Sequence, residues 1–214
     1  MLRITFIIDG FNLYHSIRKA SEDLSGASTK WLNVKALCSS YVYLFGGTAV
    51  LQEIYYFSAL AKHLESNDSS ITKRHQDFIT CIEDTGVVVE VNRFKKKIMK
   101  CPCCNQKFKR YEEKETDVAL ATKLLELFIL DGCDRIVLLT GDTDLAPAVR
   151  TANKLFPHKA VVFAFPYARK NKELSKIAPN SFEISKEQYS KHQFSDPYTL
   201  KNGIDIHKPS NGDC

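Results

Sequence analysis

Short apolar runs at Arg3–Ile8, Gln52–Ala59, Val87–Asn92, Arg135–Thr140 and Lys159–Phe165 alternate along the chain with longer segments whose apolar residues recur at helical spacing. This alternation prunes the possible folds more than any other feature. Strand, helix and strand in succession build βαβ units, and therefore an α/β protein with a central, mainly parallel sheet. A weaker sixth strand falls at Ser181–Ile184, and the spacing predicts helices over about Phe11–Ala20, Asn33–Phe45, Ser69–Thr85, Glu115–Leu130, Leu145–Leu155 and Asn171–Ile177. Runs such as Ile136–Leu139 are apolar at every position. Strands of that kind need helices over both faces of the sheet.

Composition narrows the class. A chain of 214 residues with 44% apolar and 26% charged content has enough apolar material for one domain, or one with a small appendage. The apolar runs are a few residues long, far from the roughly 20 needed to span a bilayer, so no membrane partner is expected. Met1 is followed at once by a strand pattern and not by a secretory leader, which makes a cytoplasmic setting the expectation. The seven cysteines are odd in number, and Cys38, Cys81, Cys133 and Cys214 are widely scattered. Reduced thiols are expected, not a disulfide framework.

In a parallel α/β sheet, ligands gather at the carboxyl ends of the strands. Asp9 stands directly after the first strand in Ile8-Asp9-Gly10-Phe11-Asn12, where Gly10 permits a tight turn. Asp142 and Asp144 follow the fourth strand in Thr140-Gly141-Asp142-Thr143-Asp144. A third position lies in the helix Glu115–Leu130, where counting back from the stripe Ala121, Leu124, Leu125 and Phe128 lands on Asp117, so a carboxylate is expected on the core-facing side. A buried carboxylate needs a cation, hydrogen bonds or a metal. Acids meeting in one crevice repel unless a divalent cation lies between them, and oxygen-only ligands favour Mg²⁺ or Mn²⁺, which would make the site a hydrolase centre. Taken singly, each acid also has a plainer role: Asp142 or Asp144 as a helix N-cap, Asp9 as a turn residue, Asp117 as a first-turn acid facing the helix dipole.

Three segments, Ile7-Ile8-Asp9-Gly10-Phe11-Asn12-Leu13, Glu113-Lys114-Glu115-Thr116-Asp117-Val118 and Leu139-Thr140-Gly141-Asp142-Thr143-Asp144-Leu145-Ala146-Pro147, closely resemble the three motifs of the NYN domain. That family, to which LabA-like proteins belong, is a branch of the PIN-like nucleases. The resemblance runs in order from about Leu2 to Ile184. It implies a PIN-like three-layer α/β/α sandwich and a metal-dependent ribonuclease centre. Asp9, Asp117 and Asp142 would bind the metal, with Asp144 joining them directly or through water. Asn12 would orient Asp9 or a phosphate oxygen, and Thr140 would support the loop. Thr116 departs from the small residue, such as Gly, that many relatives carry before the motif Asp, and leaves the carboxylate in place.

The net charge of +5 is unevenly spread. Between Val91 and Tyr111 stand Arg93, Lys95, Lys96, Lys97, Lys100, Lys107, Lys109 and Arg110 with no acid, so removing these eight leaves the rest of the chain at −3. Such a segment can be a solvated surface. Here Phe94, Phe108 and Tyr111 are interleaved with the cations, which adds stacking faces for unpaired bases to charges for phosphates and points to RNA. Residues 93–110 are expected to project as a long loop or β-hairpin carrying a strand toward Asp117.

The same arm holds Cys101-Pro102-Cys103-Cys104, whose Cys101 and Cys104 are spaced as half of a Zn²⁺ knuckle. His63, His75, Cys38 and Cys81 could complete it if the fold brought them near. Pairing with a second chain, giving a homo-oligomer, is the other route, and free thiols in a turn are the plain alternative. No two histidines have ligand spacing, and none is assigned to catalysis.

The expected organisation is an NYN (PIN-like) domain over residues 1–184 and a polar C-terminal extension, 185–214, that wraps the domain or frays. The leading function is an Mg²⁺- or Mn²⁺-dependent endoribonuclease. A non-catalytic RNA-binding module is the alternative. A phosphatase with Asp9 as nucleophile ranks last, because its general acid would fall at position 11, where Phe stands.

Overall fold

In the computed structural model, which describes residues 1–60 and 70–209, the strand Leu2–Asp9 (β1) turns alternate side chains to opposite faces of a sheet. Ile4, Phe6 and Ile8 enter one buried apolar cluster and Ile7 the other. The strand Arg135–Leu139 (β5) divides likewise, Val137 and Leu139 to the first cluster and Ile136 and Leu138 to the second. With both faces apolar, the sheet is stable only when helices cover each side.

The remaining elements are α1 (Gly10–Asp23), α2 (Val34–Ser39), β2 (Ala49–Leu60), α3 (Ser70–Asp84), β3 (Val88–Lys100), β4 (Lys107–Lys114), α4 (Thr116–Ile129), α5 (Ala146–Leu155), β6 (Ala160–Phe165), α6 (Lys172–Ile177), β7 (Phe182–Glu183), α7 (Lys186–Lys191), β8 (Tyr198–Thr199) and β9 (Asp205–Ile206). The sheet order is β4-β3-β2-β1-β5-β6-β7. Its neighbours are parallel except for the antiparallel pair β3 and β4. Residues of α1, α2, α3 and α7 pack into the first cluster, and residues of α4, α5 and α6 into the second. The result is the expected three-layer α/β/α sandwich.

From β1 the chain builds outward through β2 and β3, then returns to the other side of β1 with β5 and builds the opposite way. The crevice of such a sheet opens where the direction of winding reverses, between the carboxyl ends of β1 and β5.

Two expectations change in detail. The helix predicted over Asn33–Phe45 is two pieces, α2 and a 3-10 turn at Val42–Phe45. Ser40 ends the first piece by donating its hydroxyl to the Leu37 carbonyl at 2.7 Å, a local bond that competes with helix continuation. The arm is a β-hairpin: β3 does not stop at Asn92 but runs to Lys100 and pairs along β4. Of the two fates open to the C-terminal stretch, the described part wraps the domain. Tyr189 in α7 is fully buried, its hydroxyl hydrogen-bonded to Ser16 Oγ at 2.9 Å and accepting from the Tyr167 N–H at 3.1 Å. Phe194 packs on Trp31, and Asp84 receives bonds from the Tyr198 hydroxyl and the Lys201 N–H.

Candidate active site

The crevice is assembled by two loops tied to each other. Asp9, the last residue of β1, is only 5% exposed, and its two carboxylate oxygens face different elements. Oδ1 accepts the backbone N–H of Asn12 at 2.9 Å, capping α1, and Oδ2 accepts the Thr140 hydroxyl at 3.0 Å. The Thr140 oxygen in turn accepts the Asp142 N–H at 3.1 Å. A second tie runs from the Gly141 N–H to the Asn12 side-chain carbonyl at 3.2 Å. Thr140 thus joins the end of β1 to the loop after β5. The Asn12 side chain holds the Gly141 peptide and does not orient Asp9, which Asn12 reaches through its backbone.

Both glycines of the motifs are required by close approach. A Cβ at Gly10 would stand 2.5 Å from the Phe57 carbonyl oxygen and 2.7 Å from the Tyr56 ring, and one at Gly141 would stand 2.2 Å from the Arg169 carbonyl oxygen. The tight-turn role expected for Gly10 is thus replaced by packing of the α1 N-terminus directly on β2.

Asp117 lies in the first turn of α4 but not on its buried side, contrary to the stripe count. The buried positions are Thr116, Leu120, Leu124, Leu127 and Phe128, while Asp117 is exposed and Ala121 and Leu125 are half-buried. Of the expected stripe, Leu124 and Phe128 are buried but Ala121 and Leu125 only half so; the buried side runs through Thr116 and Leu120 instead, which turns Asp117 toward the crevice. There partial burial, followed by the charges of Asp142 and Asp144, holds its carboxyl above the usual carboxylate range.

The acidic crevice has a volume of about 150 Å³ and is lined by Asp9, Phe11, Asn12, Glu115, Thr116, Asp117 and Asp142. Asp144 stands beside it, sharing with Asp117 a neighbouring groove along the outer face of α4. Asp142 also caps the 3-10 turn Thr143–Leu145, its Oδ1 accepting the Asp144 N–H at 3.0 Å. The capping roles of Asp9 and Asp142 are therefore present in addition to their place in the crevice. Among the described residues no three His, Cys, Asp or Glu side chains already converge tightly enough to hold a metal ion.

Two lining residues were not singled out from the sequence. Glu115 stands at φ +78 just before α4, a left-handed conformation that a non-glycine residue adopts only under constraint, and pairs with Lys95 at 2.8 Å. Phe11 is about half exposed, an aromatic face at the crevice edge packed against His15. The signal for both was adjacency to a motif acid. His15 is held below the usual imidazole range by burial and by Arg169 and Arg18, which add positive charge on that side.

The arm joins the crevice at its root. The Asn92 amide donates to the Thr116 hydroxyl at 3.0 Å, and the Lys95–Glu115 pair links β3 to the crevice wall. In register, Lys96 faces Tyr111, Ile98 faces Lys109 and Lys100 faces Lys107 on one face of the hairpin, while Lys95 and Lys97 alternate to the other, so the cations are divided between the two faces. Ile98, Phe108 and Tyr111 are exposed among them. Lys97 and Arg110 are register partners, and Arg93 lies at the hairpin base opposite Lys114. Among the described residues, the fold does not bring the distant thiols and imidazoles to the arm. Cys38 and Cys81 are buried in the core, His75 bonds Ser58 at 3.1 Å, and His63 and Cys214 lie outside the described residues.

A doubly covered, mainly parallel sheet with acids at the reversal between β1 and β5 defines a PIN-like protein. The NYN domain model matches residues 3–206, and the chain belongs to that family. A solved structure with the same fold is a Vibrio parahaemolyticus protein of unknown function, VPA0982, at 16% identity and TM-score 0.57, covering 86% of this chain and 93% of that one. No curated protein matches the sequence. Among the described residues, no helix is long and apolar enough to cross a membrane.

Proposed function

We propose that this chain is a divalent-metal-dependent endoribonuclease that hydrolyses RNA phosphodiester bonds in the crevice between β1 and β5. The carrying observation is the crowding of carboxylates there: Asp117, its carboxyl held above the usual range by burial and by Asp142 and Asp144, lies beside the buried Asp9. The donor set is all oxygen and mutually repulsive, which fits Mg²⁺ or Mn²⁺. Asp9, Asp117 and Asp142 would hold the ion and Asp144 would reach it directly or through water. Bound there, the cation supplies a Lewis acid for the phosphoryl oxygens and an acidified water.

The protein's own groups have separable tasks. Thr140 and Asn12 keep the two loops at fixed spacing, so that Asp9 and Asp142 present from one rigid base. Phe11 offers a stacking face to an unpaired base at the edge, and the cations Lys95, Lys96, Lys97, Lys100, Lys107 and Lys109, with Arg93 and Arg110, would track the RNA backbone, Phe108 and Tyr111 stacking between them. Reduced thiols accord with a cytoplasmic setting.

Incubation of the purified chain with mixed RNAs in Mn²⁺ or in EDTA, beside Asp142→Asn, tests this. Cleavage that needs Mn²⁺ and Asp142 is the expected result. The second reading, a non-catalytic RNA-binding module, is favoured by the hairpin, whose cations and exposed Phe108 and Tyr111 would hold RNA with or without metal. RNA binding without metal-dependent cleavage above the Asp142→Asn background would select it.

A further inference from the structure

The hairpin ends in a turn, Cys101 to Gln106, that the acidic crevice does not use. Two bonds close it, from the Cys101 N–H to the Gln106 carbonyl and from the Asn105 N–H to the Cys101 carbonyl, both 2.9 Å. Asn105 stands at φ +58, so the chain reverses immediately after Cys104. Cys101 and Cys104 therefore stand on the two sides of one closed turn at the tip of the hairpin. A C-x-x-C pair on such a turn is half of a tetrahedral zinc centre.

The other half is not supplied by the rest of the chain as described. Cys38, Cys81 and Cys133 are buried in the core, and no third ligating side chain joins the cluster among the described residues. Cys101 is partly exposed and Cys103 and Cys104 are exposed, at the end of paired strands that carry them outward by about 3.3 Å per residue. We propose that Cys101 and Cys104 from two copies of this chain bind one Zn²⁺, joining the two hairpins tip to tip. A second copy fits because it brings an identical two-sulfur half site, and a two-fold axis through the metal closes the assembly.

Charge supports the same arrangement. Lys100 and Lys107 are directly opposite each other at the base of the turn, a like-charge pair that is unfavourable alone. A zinc ion bound by four thiolates carries net negative charge, which these lysines from both tips would offset. As each sulfur–zinc bond forms, the thiol proton leaves to solvent, and no group changes oxidation state. The two basic hairpins would then form one cationic track between two crevices.

The test reads metal content and mass, not cleavage, so it is independent of the ribonuclease proposal. Full-length reduced protein, stripped with chelator, is titrated with Zn²⁺ and followed by sedimentation velocity and by bound zinc after desalting. One zinc per two chains, with a monomer-to-dimer shift reversed by EDTA, is expected. Cys101→Ser and Cys104→Ser should each abolish both effects, and Cys103→Ser should keep them. Co²⁺ in place of Zn²⁺ should give the visible bands of tetrahedral thiolate coordination. A monomer binding one zinc per chain, no zinc retained, a dimer that survives Cys101→Ser, or a disulfide-linked dimer without metal would each overturn the proposal.

Discussion

At the scale of single residues, Asp9 and Asp117 are both crevice acids, yet their surroundings separate what substitution does. Asp9 is buried and accepts the Asn12 N–H with one oxygen and the Thr140 hydroxyl with the other, and the Thr140 oxygen accepts the Asp142 N–H. An Asn there offers one acceptor oxygen where two are used, so its NH₂ would face either the Asn12 N–H or the Thr140 hydroxyl in place of a carboxylate oxygen. Asp9→Asn is expected to lower stability by about 1–3 kcal/mol, read by urea unfolding, as well as abolishing cleavage. Asp117→Asn should instead leave the metal-free melting temperature unchanged or higher, because it removes repulsion from Asp142 and Asp144 at an exposed position. Mg²⁺ should raise the wild-type melting temperature more than that of either variant, by mass action. Equal metal stabilisation in Asp117→Asn would take Asp117 out of the ligand set. That Asp9 and Asp142 stand at strand ends facing one crevice was legible from motif position alone. The orientation of Asp117 was not, because neighbouring apolar residues at 120, 121, 124 and 125 allow two stripes and only packing against the sheet selects one.

Elements add what single residues cannot. Arg3 at the start of β1 grips Asp134, just before β5, through its backbone N–H at 2.8 Å and two guanidinium bonds at 2.8 and 3.3 Å, aligning the two strands whose far ends carry the crevice. Hydrogen bonds from Arg3 hold the Asp134 carboxyl down at about 2. A carboxyl lowered on folding contributes stability above its unfolded value near 4, and that contribution is lost as pH falls through about 2. Asp134→Asn should therefore be less stable than wild type at pH 7, by about 1 kcal/mol for a partly exposed pair, and the difference should vanish in strong acid. On the hairpin, replacing Lys95, Lys96 and Lys97 with Ala should weaken RNA binding and flatten its salt dependence, by about 0.7 in log–log slope for each phosphate the hairpin no longer neutralises. Turnover at saturating RNA is a stricter measure, since Lys95 also pairs with Glu115 at the crevice wall. The run of cations was plain in the sequence, but its division between two faces depends on the register of β3 with β4.

On the scale of the whole molecule, the polar composition of residues 185–214 concealed a structural role. Tyr189 fills the first core cluster, and Phe194 packs on the buried Trp31. A chain ending at residue 184 should lose cooperative thermal unfolding and bind a hydrophobic dye, and Tyr189→Phe, which orphans the Tyr167 N–H, should cost about 1–3 kcal/mol. Wild-type stability in the truncated chain would make the tail a separable extension. Alternation of apolar runs with helical spacing determined the α/β class and the helices on both sheet faces, because periodicity directly reports which side of an element is buried. Motif order likewise determined the family and the strand ends at which acids stand. Tertiary structure alone decided that Gly10 and Gly141 are needed where other backbone passes within van der Waals distance, that Glu115 and Phe11 line the crevice, and that a polar tail closes the core. Each of these depends on what lies against a residue from a distant part of the chain, and local spacing carries no record of that partner.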